Sequence, residues 1–235
     1  MGPRIAVVEH EPSCPPAHVG TWLLEAGVEL EVLRPWAGDE LPAATAHDGW
    51  VVLGGSMGAD DDALHHWIGP LKQLVRDCVA AGTPVLGICL GHQLVGSALG
   101  GTVERNPLGQ QVGVLDVGWL PGATDDELVG ALGPVRGIQW NNDLVTALPD
   151  GATALARTPR GELQVARFAA RAWGVQLHPE ADEHVVAAWA DGDREDHLER
   201  GVDQAVLLGA ITEAREELDS AWRPLVHRFA ELCRP

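Results

Sequence analysis

The sequence predicts an α/β fold: a doubly wound, mostly parallel sheet with helices on both faces, followed by a C-terminal helical extension. Short apolar runs alternate with segments of helical spacing from residue 4 to residue 99, which is typical of parallel sheets. Gly54-Gly55 follows one of these runs, at the strand end where such sheets bind ligands. At 235 residues, the chain is long enough for one substantial domain of this kind.

Local signals place the elements of this first part. Gly27 ends the first helix, and the acidic run from Asp60 to Asp62 suits the N-terminus of the second. In order, the predicted elements are a strand at 4–9, a loop at 12–16, a helix at 18–26, strands at 28–33 and 48–53, a helix at 62–81, a strand at 84–88 and a helix at 92–99.

The middle of the chain is predicted to be richer in strands. Segments 102–105 and 112–119 are expected to form an antiparallel pair at the edge of the sheet. The run from Thr124 to Glu127 fits a capping box and predicts a short helix that ends at Leu132. Further strands are predicted at 135–140, 152–156, 163–168 and 172–177.

Residues 181–235 are predicted to be mostly helical, and we divide the chain into a domain at 1–190 and an extension at 191–235 packed on it. Apolar residues recur at helical spacing along this tail, at Ala205, Leu208, Ile211, Leu218, Trp222, Leu225 and Phe229. One interpretation is a cap on the domain. The other is a docking surface for a partner chain or for a second copy in a homodimer.

Composition excludes two classes of partner. The 34 acidic and 16 basic residues give a formal charge of -18, which opposes binding to nucleic acid and to anionic membrane surfaces. The sequence holds no apolar run of about 18 residues and begins without a signal-peptide pattern. We therefore expect a cytoplasmic protein whose ligand is a small molecule.

Cysteine and histidine spacing predicts neither disulfides nor a metal site. The four cysteines show no paired spacing and are expected to be reduced; they are Cys14, Cys78, Cys89 and Cys233. Cys14 lies in a proline-flanked loop, where we expect it to be accessible. The ten histidines show no metal-ligand spacing, so no metal and no cofactor are predicted.

Cys89 lies between Gly87 and Gly91, directly after the apolar run at 84–86. A cysteine at such a strand-to-helix junction indicates a nucleophile elbow, whose strained backbone leaves no room for side chains two residues away. The following helix directs free N–H groups and its positive end at the sulfur, which stabilises a thiolate and an oxyanion. The alternative is an inert thiol buried after a core strand.

A His-Pro-Glu motif downstream favours the nucleophile over the inert thiol. His178 is predicted to share the thiol proton and later to protonate the leaving group. Glu180, two residues on in an extended segment, can accept a hydrogen bond from the other ring nitrogen. Pro179 biases the preceding residue towards an extended backbone, which fixes the direction from which His178 approaches.

Together these motifs resemble the class I, triad-type glutamine amidotransferases, specifically the stand-alone, GMP-synthase-like members. The resemblance covers about residues 51–180 and includes Leu53 to Met57, the cysteine elbow through Gln93 and the His-Pro-Glu. It implies a flavodoxin-like fold and hydrolysis of the glutamine side-chain amide through a γ-glutamyl thioester on Cys89. The ammonia released would serve an acceptor enzyme, which implies a synthetase or ligase partner chain.

The resemblance also implies the roles of individual residues. Cys89, His178 and Glu180 would form the catalytic triad, and the N–H groups of Gly55 and Leu90 would form the oxyanion hole. The residues implied in substrate binding are Gly54, Gln93, Asn142 and Asp143.

One segment departs from the family pattern. Relatives carry a His-Gly-Asp-like motif where this chain has Asn141-Asn142-Asp143. Asparagine tolerates a positive φ better than most residues, so we expect the turn geometry to survive at Asn142. The alternative is an ordinary Asn-Asp turn after a strand. The altered wall leaves open a γ-glutamyl substrate other than glutamine.

Three other functions compete with an amidotransferase. A self-sufficient γ-glutamyl hydrolase or peptidase would use the same triad with water as the only acceptor. A non-catalytic binding protein on the same fold is disfavoured because Cys89, His178 and Glu180 are all present. A related family with a cysteine elbow has histidine directly after the cysteine, whereas Leu90 follows Cys89 here.

Overall fold

The computed structural model describes residues 2–133 and 135–234, and the elements below belong to those residues. The strands are β1 (Arg4–Val8), β2 (Glu29–Leu33), β3 (Gly49–Val52), β4 (Val85–Ile88), β5 (Thr102–Arg105), β6 (Gln111–Val117), β7 (Val135–Asn141), β8 (Asp143–Ala147), β9 (Thr153–Arg157), β10 (Leu163–Ala169) and β11 (Ala172–Val175). The helices are α1 (Ala17–Glu25), α2 (Ile68–Ala81), α3 (Leu90–Ala98), α4 (Glu183–Gly192), α5 (Arg194–Glu199), α6 (Gln204–Glu213) and α7 (Arg215–Leu232).

Seven strands form the main sheet, in the order β2-β1-β3-β4-β11-β10-β9. The first five are parallel to one another. Strand β10 is antiparallel to β11, and β9 is antiparallel to β10. Strands β3, β4 and β11 are buried along their whole length, as their apolar sequences require when helices cover both faces. The predicted fold class is therefore confirmed. In the centre of the sheet, Gly87 of β4 lies beside Gly174 of β11.

Helices on the two faces build two separate cores. On one face, the cluster includes Trp22 of α1 and Trp222 and Phe229 of α7. On the other, it includes Leu71 of α2 and Leu94 of α3. Burial of a side chain of this size contributes roughly 1.5–3 kcal/mol. The C-terminal helices are present, as predicted, and α7 shares its core with the sheet; the division at residues 190 and 191 stays a prediction.

The predicted pairing of segments 102–105 and 112–119 is wrong. Strand β5 pairs with β8, and β6 pairs with β7, both antiparallel, in two small sheets. The segment 143–147 was not predicted as a strand because Asn141-Asn142-Asp143 reads as a turn. In the structure only Asn142 bends, and the chain continues from β7 directly into β8.

Two predicted helical segments differ as well. Helix α2 begins at Ile68 and not at Asp62, because the acidic residues before it form turns. Asp60 and Asp62 both pair with Lys72, at 2.7 and 2.8 Å. No helix forms at 124–132, where the chain makes turns. The carboxylate of Asp126 accepts hydrogen bonds from two following backbone amides and so competes with helical bonding.

All four cysteines have free thiols, in agreement with the prediction. Cys14 is 5% exposed, so its expected accessibility is wrong. None of the helices that the structure describes is long and apolar enough to cross a membrane.

Candidate active site

The backbone at Cys89 has the strain expected of an elbow. Its φ is +51° and its ψ is −106°, a conformation that a non-glycine residue adopts at a cost of about 1–3 kcal/mol. The residue lies between the end of β4 and the first residue of α3, and its N–H donates to the carbonyl of Val175 at 2.9 Å. The strand pairing between β4 and β11 therefore holds the strained residue in place.

Both glycines that flank the elbow are required by close backbone contacts. A Cβ atom at Gly87 would lie 2.4 Å from the carbonyl oxygen of Gly91. One at Gly91 would lie 1.9 Å from the carbonyl oxygen of Val52, on the neighbouring strand β3. The Gly-x-Cys-x-Gly pattern thus reflects how tightly α3 packs against the ends of β3 and β4.

His178 and Glu180 form a buried pair directly after β11. His178 Nδ1 lies 2.7 Å from Glu180 Oε1, and both side chains are almost completely buried. The backbone N–H of His178 donates to the carbonyl of Ile138 at 2.8 Å, which ties this segment to β7. Because the carboxylate accepts the Nδ1 proton, Nε2 is the nitrogen left to exchange a proton with a reacting group.

The charges around His178 favour its protonated form. Burial alone would lower its pKa, but the opposite charges of Cys89 and Glu180 outweigh burial and raise the pKa well above 6.5. Glu180 Oε2 has no hydrogen-bond partner among the described residues, so His178 is the group that compensates this carboxylate. The arrangement therefore favours a cationic imidazole at His178, next to the Glu180 carboxylate.

Gly55 and Leu90, whose N–H groups the resemblance implies as an oxyanion hole, lie close to each other. Leu90 is the first residue of α3, so its N–H has no acceptor within the helix. Gly55, in the loop after β3, packs so closely that an added Cβ would lie 2.9 Å from Leu90 Cδ2. A Cβ at Gly54 would lie 3.1 Å from His178 Cε1 and 3.7 Å from Cys89 Cβ. The glycine loop therefore borders both reacting side chains.

A cavity of about 470 Å³ opens over these groups. Of the predicted site residues, five line it: Gly55, Cys89, Gln93, Asn142 and His178. The other lining residues are Glu11, Ser13, Cys14, Ser56, Arg105, Trp140, Asn141, Ala188, Trp189, Gly192 and Asp193. Glu180 lies behind His178, and Asp143 contributes its backbone rather than its side chain: its carbonyl accepts from Gln93 Nε2 at 2.9 Å.

The expected positive φ at Asn142 is wrong. Among the described residues, only Ala17 and Cys89 adopt a positive φ without being glycine. The carbonyl of Asn142 accepts from the backbone N–H of Asn106 at 2.8 Å, which fixes the bend between β7 and β8. An ordinary bend between two strands therefore replaces the left-handed turn that the family pattern suggested.

Sequence reasoning missed the contribution of α4. The ring of Trp189 lies 4.5 Å from the ring of His178, centroid to centroid, and its Nε1 donates to the carbonyl of Ser13 at 2.9 Å. Trp140 lies next to it, with ring centroids 5.8 Å apart. The signal was available: α4 starts three residues after Glu180, so its first turns cannot be far from the base.

The loop after β1 forms another part of the cavity wall and carries the acidic residue Glu11. Glu11 accepts hydrogen bonds from the N–H and the hydroxyl of Ser56, at 2.9 and 2.8 Å, and from the Cys14 thiol at 3.5 Å. Burial and the neighbouring Glu11 carboxylate raise the pKa of Cys14. Cys14 is therefore a neutral thiol in the cavity wall.

Comparison with known proteins agrees with this geometry. A family model described as Glutamine amidotransferase class-I matches residues 20–186. The chain is 36% identical over 162 residues to the GMP synthase [glutamine-hydrolyzing] of Aeropyrum pernix, covering 66% of this chain and 29% of that protein. It is 31% identical over 207 residues to the anthranilate synthase component 2 of Mycobacterium tuberculosis, covering 79% of this chain and 82% of that one.

A solved structure supports the fold over the whole length. The crystal structure of a glutamine amidotransferase from Thermotoga maritima superposes with a TM-score of 0.87 at 23% identity, covering 98% of this chain and 99% of that one. Because the family model spans more than half of the sequence and the strained cysteine elbow lies within that span, the chain belongs to the class I glutamine amidotransferase family.

Proposed function

We propose that this protein hydrolyses the side-chain amide of glutamine through a γ-glutamyl thioester on Cys89, with His178 and Glu180 as the other members of a triad. The observation that carries the proposal is the buried His178–Glu180 pair, 2.7 Å apart, in which His178 lines the same cavity as the strained Cys89. Family membership gives the amidohydrolase class independently.

The geometry supports a two-step reaction. The Cys89 thiolate attacks the amide carbon, and the developing oxyanion accepts from the N–H groups of Gly55 and Leu90. His178 gives its Nε2 proton to the leaving nitrogen, so that the C–N bond breaks and ammonia departs. A water molecule then loses a proton to His178, attacks the thioester and releases glutamate and the thiol. Glu180 stabilises the imidazolium in both steps.

An ammonia-release assay tests this proposal. Purified protein should convert glutamine to glutamate and ammonia, and Cys89→Ser should abolish turnover, because a hydroxyl is far less ionised than a thiol at the same helix terminus. Cys78→Ser is the matched control, since Cys78 is a buried thiol on α2, far from the cavity. Activity that persisted in Cys89→Ser and was lost in Cys78→Ser would disprove the assignment.

The released ammonia is proposed to reach a synthetase whose active site lies outside these 235 residues. The chain spans less than a third of the GMP synthase it matches, and most of the anthranilate synthase component it matches. The first relative is named as a synthase, and the second is named as a component of a synthase. Glutaminase activity that rises on addition of such an enzyme and its acceptor substrate would support the pairing; an unchanged rate with each candidate would argue against it.

A γ-glutamyl hydrolase is the second candidate, favoured by the shape of the cavity. Its volume of about 470 Å³ is in the range that accommodates ligands considerably larger than one side-chain amide. Trp189 packs on the base and Trp140 lies beside it, so apolar surface is available where a leaving group larger than ammonia would lie. A panel of γ-glutamyl dipeptides and γ-glutamyl amides decides between the two: kcat/KM highest for glutamine supports the amidotransferase, and kcat/KM highest for a dipeptide supports the hydrolase.

A further inference from the structure

Gln176 is a buried amide next to the reacting sulfur. It lies between β11 and His178, is completely buried, and its Nε2 is 3.6 Å from Cys89 Sγ, within hydrogen-bonding distance of sulfur. Its backbone N–H donates to the carbonyl of Gln164 at 2.8 Å, so the main chain from which this side chain extends is fixed.

A chain of contacts determines which end of the Gln176 amide faces the sulfur. The carbonyl of Asp143 can only accept, so the group of Gln93 that lies 2.9 Å from it is the NH₂. The same NH₂ lies 3.3 Å from the other end of Gln176, which must therefore be the oxygen. The remaining end of Gln176 is its NH₂, and this is the end that faces Cys89.

A donor at this position has a clear electrostatic role. A buried anion is stabilised by each hydrogen bond it accepts and is strongly destabilised without them. The first turn of α3 stabilises the sulfur from the helix side, and His178 supplies the opposite charge. Gln176 adds an uncharged donor from the strand side, where the sulfur is closed off from solvent.

We propose that Gln176 is a hydrogen-bond donor to the Cys89 thiolate, held in its donating orientation by Gln93. The inference deepens the proposed function, but it concerns the reactivity of the thiol and can be measured without glutamine. In the reaction, this donor would raise the fraction of enzyme that carries the thiolate at neutral pH.

Alkylation of Cys89 by iodoacetamide between pH 5.5 and 10, followed by mass spectrometry of the Cys89 peptide, tests the proposal. In Gln176→Met, loss of a hydrogen bond to an anion should move the pH of half-maximal alkylation upwards by about one unit. On the acid side of half-maximal alkylation the rate should fall about threefold, because about tenfold less thiolate is present and each thiolate is about threefold more nucleophilic. The alkaline plateau should rise about threefold for the second reason alone. A merely structural role would not produce opposite changes at the two ends of one profile.

The variants leave the other titratable groups near the sulfur unchanged. Those that line the cavity with it or lie behind it are Glu11, Cys14, Arg105, His178, Glu180 and Asp193. Gln139→Met is the matched control: Gln139 is equally buried on β7 and contacts Gln164 instead of Cys89. Its alkylation profile should match that of the wild type.

Two further variants keep the proposal testable if Gln176→Met does not fold. Gln176→Glu preserves the shape and replaces the donor by an acceptor, so half-maximal alkylation should move upwards by more than in the Met variant. Gln93→Met removes the group that orients Gln176, together with its hydrogen bond to the Asp143 carbonyl, and leaves the Gln176 amide in place, so a smaller upward shift is expected. Unshifted profiles in folded Gln176→Met or Gln176→Glu overturn the inference. A shifted profile in a protein that does not hydrolyse glutamine would support the inference and reject the proposed function.

Discussion

Cys89 and the His178–Glu180 pair are residues that the rest of the molecule must hold in unfavourable states. The first has a strained backbone, and the second is an acid and a base removed from water. Backbone pairing compensates the strain, and mutual neutralisation compensates the burial. Substitutions at this scale should therefore change chemistry and stability together.

Replacing Glu180 by Gln keeps the shape and removes the charge that stabilises the imidazolium. We expect kcat for ammonia release to fall on the order of 10²-fold with little change in KM, because the carboxylate acts on His178 and does not touch the substrate. Steady-state kinetics on protein of matched thermal stability measures this. An unchanged kcat would show that another acid orients His178.

Asn142 gives a prediction opposite to the one its sequence suggests. Since its φ is not positive, a β-branched residue is not strained there, and Asn142→Val should change KM for glutamine by less than about threefold unless the side chain itself binds substrate. Asn142→Gly should likewise leave KM unchanged. A KM that rises sharply in Val but not in Gly would show that the bend takes a left-handed form when substrate binds.

The residues predictable from sequence were those in a local motif. Spacing within a few residues identifies Cys89 with its two glycines, and it identifies His178 with Glu180 in the same way. Gln176 was missed because its contact, Cys89, is distant in sequence. Trp189 was missed although α4 starts only three residues after Glu180. The prediction at Asn142 was wrong because asparagine tolerates a positive φ, and this tolerance was taken as evidence that the residue adopts one.

At the scale of elements, the junction of β3, β4 and α3 has no spare volume. Gly91→Ala would place a Cβ 1.9 Å from the carbonyl of Val52, and overpacking of backbone against backbone cannot be relieved by rotating a side chain. We expect the free energy of unfolding, measured by urea denaturation, to fall by about 3 kcal/mol or more. Activity, measured as ammonia release, should be lost. Gly122→Ala, where the added Cβ meets nothing within 4 Å, should be nearly neutral. Equal stability of the two variants would contradict this account of the elbow.

Helix α7 is expected to be a structural part of the domain. Trp222 is 1% exposed, packs beside Trp119, and donates from Nε1 to the carbonyl of Arg136 at 2.8 Å. Trp222→Ala should lower the free energy of unfolding by roughly 3–5 kcal/mol. Leu198→Ala, at a position 80% exposed on α5, should change it by less than about 0.5 kcal/mol. A small effect at Trp222 would instead favour a separately folding tail, as the boundary proposed at residue 190 allows.

The elements that sequence predicted well were those whose apolar period was uninterrupted, as in β1 and β4. The failure at 124–132 has a physical cause, which is competition by a polar side chain for the backbone. Asp126 bonds to amides ahead of it and prevents a helix, and the carboxylates before α2 bind Lys72 while the chain around them makes turns. Strand pairing was wrong wherever the partner lies beyond the next element, as for β5 and β8.

For the whole molecule, buried histidines lower the free energy of unfolding at acid pH. Burial lowers the pKa of His10 and His92 to about 4, so both are neutral in the folded protein, whereas the unfolded chain takes up protons below about 6.5. Each residue therefore contributes stability that is lost as pH falls from about 6.5 towards 4, on the order of 3 kcal/mol. Thermal unfolding from pH 4 to 7 should show this loss, and a non-titrating His92→Gln should reduce its slope.

Stability is lost at alkaline pH because groups of the unfolded chain release protons, whereas at acid pH they take up protons. Burial raises the pKa of Cys78 and Cys233 to about 12, while thiols of the unfolded chain ionise from about 8.5, so stability is lost as pH rises above that value. His178 acts in the same direction, since stability gained by its raised pKa is lost as pH rises through the folded-state value. Maximal stability should therefore lie between about pH 6.5 and 8.5. A melting temperature that kept rising to pH 10 would contradict the predicted loss of stability above about pH 8.5.

The position of β11 next to β4 has a consequence for how the protein is made. Strand β4 has β3 on one side, and its other edge stays unpaired until the chain from Ile88 to Ala172 has been synthesised. An apolar edge open for so long during vectorial synthesis is a site for wrong pairing and aggregation, and such long-range closure is slow. The strand that finally closes this edge is the one followed by Gln176, His178 and Glu180. If Gln176, His178 and Glu180 activate Cys89 as proposed, a nascent chain carries its cysteine in an inactive form and gains reactivity in the same step that completes the sheet.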